Sequence, residues 1–383
     1  MSVGRTVLIA NPSPDVYGSD LQMLESLEAL VGAGYRVIVA MPRDGALVDR
    51  IERRGGVVIF IDFPVLRRAN QSVALFAKLA LDAVLSVPRL RRFIKAQAPD
   101  AVYVNTVTLP WWLLASRLAG VPTVCHLHEA ETTDSTLVRR ALILPLRLAH
   151  QVIVISRSVM DAMVAADPRL ETKGNLVYNG VPQPPTEPAP ARRERPLRLV
   201  SVGRLSPRKA PHLALEAVAQ LRDQGYDLTI ELAGTAFDGY EWYVRELEER
   251  ASRPDLAGAV EFAGYCSPIW PNLAKADIVV QPSLREPFGN AVVEAQYSLR
   301  PVVATRALGH TESITDGETG LLVPAEDVPA LASAIARLVD DADLAERIAQ
   351  TARTEAIRRF SVERYGREIV ALFDRLTGKA VGS

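Results

Sequence analysis

Glu286 and Glu294 flank the start of a helical pattern, and the residues around them have the chemistry to hold a phosphorylated ligand. The stretch reads Ile278-Val-Val-Gln-Pro-Ser-Leu-Arg-Glu-Pro-Phe-Gly-Asn-Ala-Val-Val-Glu294. Asp277 to Val280 has the character of a buried strand, ended by Pro282-Ser283. The spacing predicts a helix from near Pro287, because proline suits a first helical turn, where its missing N–H costs nothing. On that reading Glu286 sits at the helix mouth, with Glu294 about two turns further in on roughly the same face. A helix N-terminus favours bound anions through its free N–H groups and partial positive charge. Gly289 removes a side chain where a phosphate or sugar would come close. Two carboxylates beside such a helix end suit a ligand with hydroxyls on both sides of a diphosphate, that is, a nucleotide-sugar. Taken alone, the pair also fits a solvated amphipathic helix with two surface glutamates.

Other segments carry complementary groups. Val202-Gly-Arg-Leu-Ser-Pro-Arg-Lys209 precedes a helix expected from Pro211, and Arg204 and Lys209 can reach a phosphate, one as a fork of donors and one as a point charge. In the first half, Asn11-Pro-Ser-Pro-Asp-Val-Tyr-Gly-Ser19 joins a strand to a helix, and Gly18-Ser19 is a second candidate phosphate or sugar contact. Ser19 also fits an N-cap. His126-Leu-His-Glu129 follows another strand, and alternation puts the two histidines on one side if the strand runs that far. No Gly-x-Gly-x-x-Gly or phosphate-loop signature is present, which argues against a dehydrogenase or an NTPase.

The elements that must position these residues alternate strand and helix. In the first half strands are expected at Thr6–Ala10, Arg36–Met41, Val57–Phe63, Ala101–Asn105, Thr123–His126 and Gln151–Ile155. Their continuous apolar, β-branched character fits a parallel sheet covered on both faces. A helix is expected over Asp20–Val31, with Leu21, Leu24, Leu27, Glu28 and Val31 at helical spacing and Gly34 at its end. Residues 182–196, Pro-Gln-Pro-Pro-Thr-Glu-Pro-Ala-Pro-Ala-Arg-Arg-Glu-Arg-Pro, read as an extended spacer. The alternation then restarts at Leu197–Val202, Leu228–Ala233, Val260–Phe262, Ile278–Gln281, Val302–Thr305 and Gly320–Val323. The expectation is two doubly wound α/β domains, 1–181 and 197–360, facing across a cleft.

Glu286-Pro-Phe-Gly-Asn with Glu294, Arg300-Pro-Val-Val-Ala-Thr and Asp316-Gly-Glu-Thr-Gly-Leu-Leu-Val-Pro resemble the large retaining glycosyltransferase family typified by bacterial mannosyltransferases and sucrose synthase, family four, with the GT-B fold. The resemblance covers most of the chain and is densest from Val200 to Asp341. It implies that the final helix, within 361–383, packs back on the first domain. It assigns Glu286 to the donor sugar's hydroxyls, Glu294 to the ribose, and the backbone amides of Phe288, Gly289 and Asn290 to phosphate or sugar. Arg204 and Lys209 become the cations that neutralise a diphosphate leaving group in place of a metal. His128 is the better match to a cleft histidine that donates a hydrogen bond to the sugar. Of the usual Gly-Gly pair in the first domain, only Gly18 carries over. The implied reaction is front-face, with no metal and no cofactor, the UDP- or GDP-sugar being substrate. One departure stands out: Leu308-Gly-His-Thr-Glu312 replaces the usual Gly-Gly-x-x-Glu.

Composition is consistent with this. Of 383 residues, 48% are hydrophobic and 23% charged, with net charge −1, which offers nothing to nucleic acid. There are 20 basic against 16 acidic residues through Pro182 and 24 against 29 after it, a mild asymmetry. Cys125 and Cys266 fit no metal spacing. The N-terminus has no signal-peptide pattern and no long apolar run follows, so a cytoplasmic protein is expected. Leu66-Arg-Arg68, Val73–Leu85 and Arg89–Lys95, near Trp111-Trp-Leu-Leu114, form a basic amphipathic region. It suits either internal packing or docking on the anionic inner face of the plasma membrane, where a glycan or lipid-linked acceptor of envelope or exopolysaccharide synthesis would be met. A nucleotide-sugar epimerase and a non-catalytic partner subunit of the same fold are the alternatives.

Overall fold

Apolar runs flanked by turn residues form parallel strands along the whole chain. The computed structural model describes residues 4–16, 18–66, 73–128, 136–237 and 239–378. The chain divides into two compact units, Met1–Gly180 with Val362–Ser383, and Val181–Ser361.

In the first unit the order is β1 (Thr6–Ala10), α1 (Gly18–Gly32), β2 (Arg36–Met41), α2 (Val48–Arg53), β3 (Val57–Phe60), α3 (Val73–Gln97), β4 (Ala101–Val104), α4 (Pro110–Ala119), β5 (Thr123–Leu127), α5 (Thr136–Ile143), β6 (Gln151–Val154), α6 (Arg157–Ala166) and β7 (Gly174–Leu176). The second holds β8 (Leu197–Val202), α7 (Pro211–Asp223), β9 (Leu228–Ala233), α8 (Glu241–Ala251), β10 (Val260–Gly264), α9 (Trp270–Lys275), β11 (Ile278–Gln281), α10 (Asn290–Tyr297), β12 (Val302–Thr305), α11 (His310–Ser313), β13 (Leu321–Val323), α12 (Val328–Asp340) and α13 (Ala342–Phe360). The chain ends in α14 (Val362–Leu376), which belongs to the first unit. The sheets run β3-β2-β1-β4-β5-β6-β7 and β10-β9-β8-β11-β12-β13. Every pairing is parallel.

Several expectations are corrected. The strand from Val57 stops at Phe60, and β7 was not anticipated, being three residues that include a glycine and an asparagine. Of the face read from the sequence for α1, Leu24 and Leu27 are fully buried and Val31 packs on the same cluster, but Leu21 is 40% exposed, and Met23 and Leu30, outside that face, are fully buried. The reason is that α1 is covered twice, by the sheet and by α14. Tyr365, Ile369, Leu372 and Phe373 of α14 join the same apolar cluster, and the Tyr365 hydroxyl lies 2.5 Å from Ser26 Oγ.

Residues 182–196 form no helix or strand, as expected, but they are strapped along the second unit rather than spacing it off. The Arg193 amide donates to Asp277 Oδ1 at 2.8 Å, and its guanidinium donates to the carbonyls of Leu338 and Val339 at 3.0 and 2.7 Å. Arg300 donates to the Ala189 carbonyl at 2.8 Å. Glu187 pairs with Arg353 at 2.8 Å.

The aromatic part of the basic region is core. Trp112 is fully buried, with Phe63 and Phe93 edge-on at 5.3 and 6.1 Å. Leu90 and Ile94 of α3 are buried too, while Arg89, Arg92 and Lys95 are exposed. Arg67 and Arg68 lie outside the described residues, as do the side chains at 73–81. Among the described residues no helix is long and apolar enough to cross a membrane.

Phe373 is fully buried, edge-on to Tyr103 at 5.9 Å. Phe373→Ala is expected to destabilise the first unit by about 3–5 kcal/mol, read from the shift of its urea transition. A loss under about 1 kcal/mol would show that α14 is not part of that core.

Candidate active site

In the second sheet the chain goes outward from β8 through β9 and β10, then returns to the other side of β8 with β11. The loops leaving β8 and β11 therefore diverge, and this switch point is where open parallel sheets bind ligands. The loop after β8 starts at Gly203, and a Cβ on Gly234, after β9, would lie 1.9 Å from the Gly203 carbonyl oxygen. Only glycine fits there, so the loops after β8 and β9 pack backbone to backbone. The Leu284 amide donates to the Arg208 carbonyl at 2.9 Å, and Arg208 Nη1 donates to the Arg285 carbonyl at 2.8 Å.

Lys209 Nζ then donates to Glu286 Oε2, and the pair is largely enclosed. Burial alone would raise the Glu286 carboxyl, but the Lys209 ammonium above all, with Arg208 beyond it, holds it below the ordinary value. Glu294 is half-buried and less well compensated. Burial raises it to about 7 against a smaller lowering by Lys209.

The expected helix start is corrected here. Helix α10 begins at Asn290, and Gly289, at φ 100°, is its N-cap without a side-chain cap. Pro287 and Phe288 remain in the loop because Phe288 is buried edge-on to Phe360, at 5.4 Å, and because the Gly309 amide donates to the Glu286 carbonyl at 2.7 Å. Glu286 therefore projects from a loop, not from the first helical turn. Glu294 lies one turn inside the helix.

His310 completes this cluster and was not singled out from the sequence. A Cβ on Gly289 would meet His310 Cδ2 at 3.0 Å. Nδ1 of His310 lies 3.1 Å from the Thr305 carbonyl, an acceptor only, so Nδ1 carries the proton. Burial brings the ring down to about 4, leaving a neutral acceptor nitrogen near Glu286. The departure at Leu308-Gly309 also has an explanation. Leu308 adopts φ 48°, a conformation that costs a side chain about 1 kcal/mol and that glycine takes freely. Gly309 is kept because a Cβ there would be 2.5 Å from Phe288 Cα.

Arg204 is on the same loop as Lys209, with its guanidinium 3.2 Å from the centroid of the Phe237 ring. The structure thus gathers Lys209, Glu286, Glu294, Gly289 and His310, and sets Arg204 against an aromatic face.

In the first unit the switch point falls between β1 and β4. Gly18 opens α1 with nothing within 4 Å of a Cβ placed there, and Ser19 is inside the helix, not its N-cap. Both histidines after Cys125 are neutral, but their settings differ. His126 is fully buried, with Nδ1 2.6 Å from the Tyr103 hydroxyl and burial holding its ring well down. His128 is half-buried and stacks on it at 3.9 Å between centroids. Nε2 of His128 lies 3.0 Å from Asn105 Oδ1, and burial lowers the ring to about 3. Glu129 lies outside the described residues.

Two family models match end to end, Glycosyltransferase Family 4 over residues 18–183 and Glycosyl transferases group 1 over 183–355. The chain belongs to the group 1, family 4 glycosyltransferases. An alpha-D-kanosaminyltransferase of Streptomyces kanamyceticus is 28% identical over 74% of this chain and 78% of its own length. A lipopolysaccharide core biosynthesis glycosyltransferase, LpsE of Rhizobium meliloti, is 34% identical over 43% of this chain and 46% of its own. Anabaena HepE, solved with UDP and glucose, superposes with a TM-score of 0.81 at 26% identity, covering 96% of this chain and 99% of HepE. The fold is GT-B, and the protein is a glycosyltransferase.

The raised carboxyl of Glu294 makes the transferase's stability depend on pH. Between 4.5 and about 7 the folded chain keeps a proton that the unfolded chain has released, so this group's contribution falls as pH rises through that window. Glu294→Gln is expected to melt about 2–5 °C above the parent at pH 8.5 and level with it at pH 5. Equal melting at both values would place Glu294 in an ordinary solvated setting.

Proposed function

We propose that this glycosyltransferase moves a hexose from a UDP- or GDP-linked donor to a sugar or lipid-linked glycan, with retention at the anomeric carbon and without a metal. The observation that supports it best is the enclosed Lys209–Glu286 pair at the β8/β11 switch point, beside the uncapped start of α10. In ligand-free protein the two charges satisfy each other. A donor diphosphate takes Lys209 as its counter-charge together with Arg204, and Glu286 turns to the sugar hydroxyls. The amides of Phe288, Gly289 and Asn290 serve phosphate or sugar, and Glu294 accepts from the ribose. Gly18 leaves room on the first unit, and His128 there contributes a hydrogen bond to the transferred sugar.

The bond from the anomeric carbon to the diphosphate oxygen breaks as the acceptor hydroxyl attacks from the same face, and the departing oxygen takes the hydroxyl proton. Preorganised cations on the leaving group and alignment of the acceptor supply the rate. The UDP and glucose in HepE support a UDP-sugar, and the name of LpsE supports an envelope glycan as acceptor. Arg89, Arg92 and Lys95, exposed on α3, support peripheral contact with an anionic membrane from the cytoplasmic side.

A thermal-shift panel of UDP-, GDP- and other activated sugars is expected to single out one donor by its rise in melting temperature. With that donor, Lys209→Ala should lower kcat about 100- to 1,000-fold, and chelator should leave the parent's rate unchanged. An undiminished rate in Lys209→Ala would remove the cation from the mechanism. His128→Ala should lower kcat by about 10-fold or more; unchanged turnover would take the imidazole out of the reaction.

A further inference from the structure

We propose that Asn105 is a positioning residue that locks His128 into the tautomer with the proton on Nε2, so that Nδ1 presents a lone pair and the ring accepts, rather than donates, the hydrogen bond to the substrate hydroxyl. The inference rests on the role given to His128 above, and its argument is a chain of acceptors that cannot be reversed.

The chain begins at groups of fixed polarity. Asn11 Nδ2 donates to the Ser13 carbonyl at 2.8 Å and to Asp20 Oδ1 at 2.9 Å. Neither partner has a proton to give, so this end of the Asn11 amide is nitrogen and Oδ1 is its acceptor. Asn105 Nδ2 reaches that oxygen at 2.8 Å and the Ser19 carbonyl at 3.3 Å, which fixes the second amide. Asn105 Oδ1 therefore faces His128 Nε2 at 3.0 Å and must receive a proton from it. The Tyr103 hydroxyl donates to the same oxygen at 3.3 Å. Asn11 and Asn105 are 0% and 1% exposed, so water does not offer an alternative.

A neutral imidazole has one N–H, and the hydrogen bond at one nitrogen sets the character of the other. With Nε2–H committed to Asn105, Nδ1 is left as an acceptor, and it has no partner among the described residues. Among the described residues, the titratable groups linked to the ring by hydrogen bonds or ring contacts are His126 and Tyr103, from β5 and β4, and Asp20 of α1 through Asn11. None of these gives His128 a counter-charge in contact. A lone pair beside a carbon that gains positive charge stabilises it, whereas an imidazolium would oppose it. On this proposal an acceptor role therefore replaces the donor role expected of His128.

The full chain labelled with 15N-histidine tests this directly, since it has five histidines and nitrogen shifts separate the tautomers. The expected result at pH 7 is a neutral His128 with the proton on Nε2. A proton on Nδ1, or an imidazolium, overturns the proposal. Asn105→Ala should mix the tautomers and lower kcat about 10- to 100-fold with the donor KM within about twofold. An intact Nε2–H signal with unchanged kcat overturns it. If that variant fails to fold, Asn105→Asp keeps an acceptor at Nε2 and adds a charge. It should preserve the tautomer, raise the ring's pKa and give the pH–rate profile a new acid limb, and a profile identical to the parent's counts against the proposal. A chain that turns over no activated sugar would remove the proposed function while the nitrogen spectrum still decides the role of Asn105.

Discussion

The ammonium of Lys209 and the carboxylate of Glu286 are held together by loops from neighbouring strands, and most of the second unit's site follows from that pair. Taking either charge out of water alone costs several kcal/mol, and their attraction offsets this only in good geometry. The loops that carry the pair are fixed by close backbone packing, Gly203 against Gly234 after β8 and Gly309 against the buried Phe288 after β11. Removing one partner leaves the other charged and enclosed, so the pair is a poor source of stability. In the proposed function it is a ready exchange point for an anionic ligand, which replaces one counter-charge with another.

Much of the architecture could be read from the sequence because parallel strands covered on both faces need long apolar runs, and these are visible without context. Most strand limits fell within a residue or two for that reason. Glu286, Glu294 and Lys209 could be singled out too, but only through the motif they share with a known family, since charges in such positions alone also fit a solvated surface. The helix start was misplaced because Pro287 fits a first turn by local rules, while burial of Phe288, a tertiary fact, decided otherwise. Helix α1 was read only in part for the same reason: a helix packed on two sides has a wider apolar face than one stripe, so Leu24 and Leu27 are buried as expected while Met23 and Leu30 join them and Leu21 lies open. His310 sat in a loop noted only for a missing glycine, and nothing local linked it to Glu286, 24 residues earlier. Parts of the resemblance turn out to be architectural. Buried Arg300 ties down carbonyls of Leu273, Ala274 and Ala189, and Asp316 accepts the Leu322 amide at 2.9 Å in a turn.

Two neutral histidines at the switch-point loops take opposite protonation, His310 on Nδ1 and, in the proposal above, His128 on Nε2. A backbone carbonyl enforces one and an asparagine amide the other. Sequence could supply the histidines but not this difference, because it resides in the orientation of acceptors contributed by other strands.

The chain leaves the first unit at Gly180 and rejoins it at Val362. A Cβ on Gly180 would lie 3.1 Å from Val362 Cα, and the Val181 amide donates to the Phe360 carbonyl at 2.8 Å. The second unit is therefore a loop in the topological sense, entered and left through one doorway, with its two ends already tied together. Its main core cluster includes no residue of α14, whereas the first unit's core is complete only with Tyr365, Ile369, Leu372 and Phe373 of that helix. A segment with abutting ends is also the kind that tolerates excision or relocation in a chain, so the second unit has the geometry of a transplantable cassette.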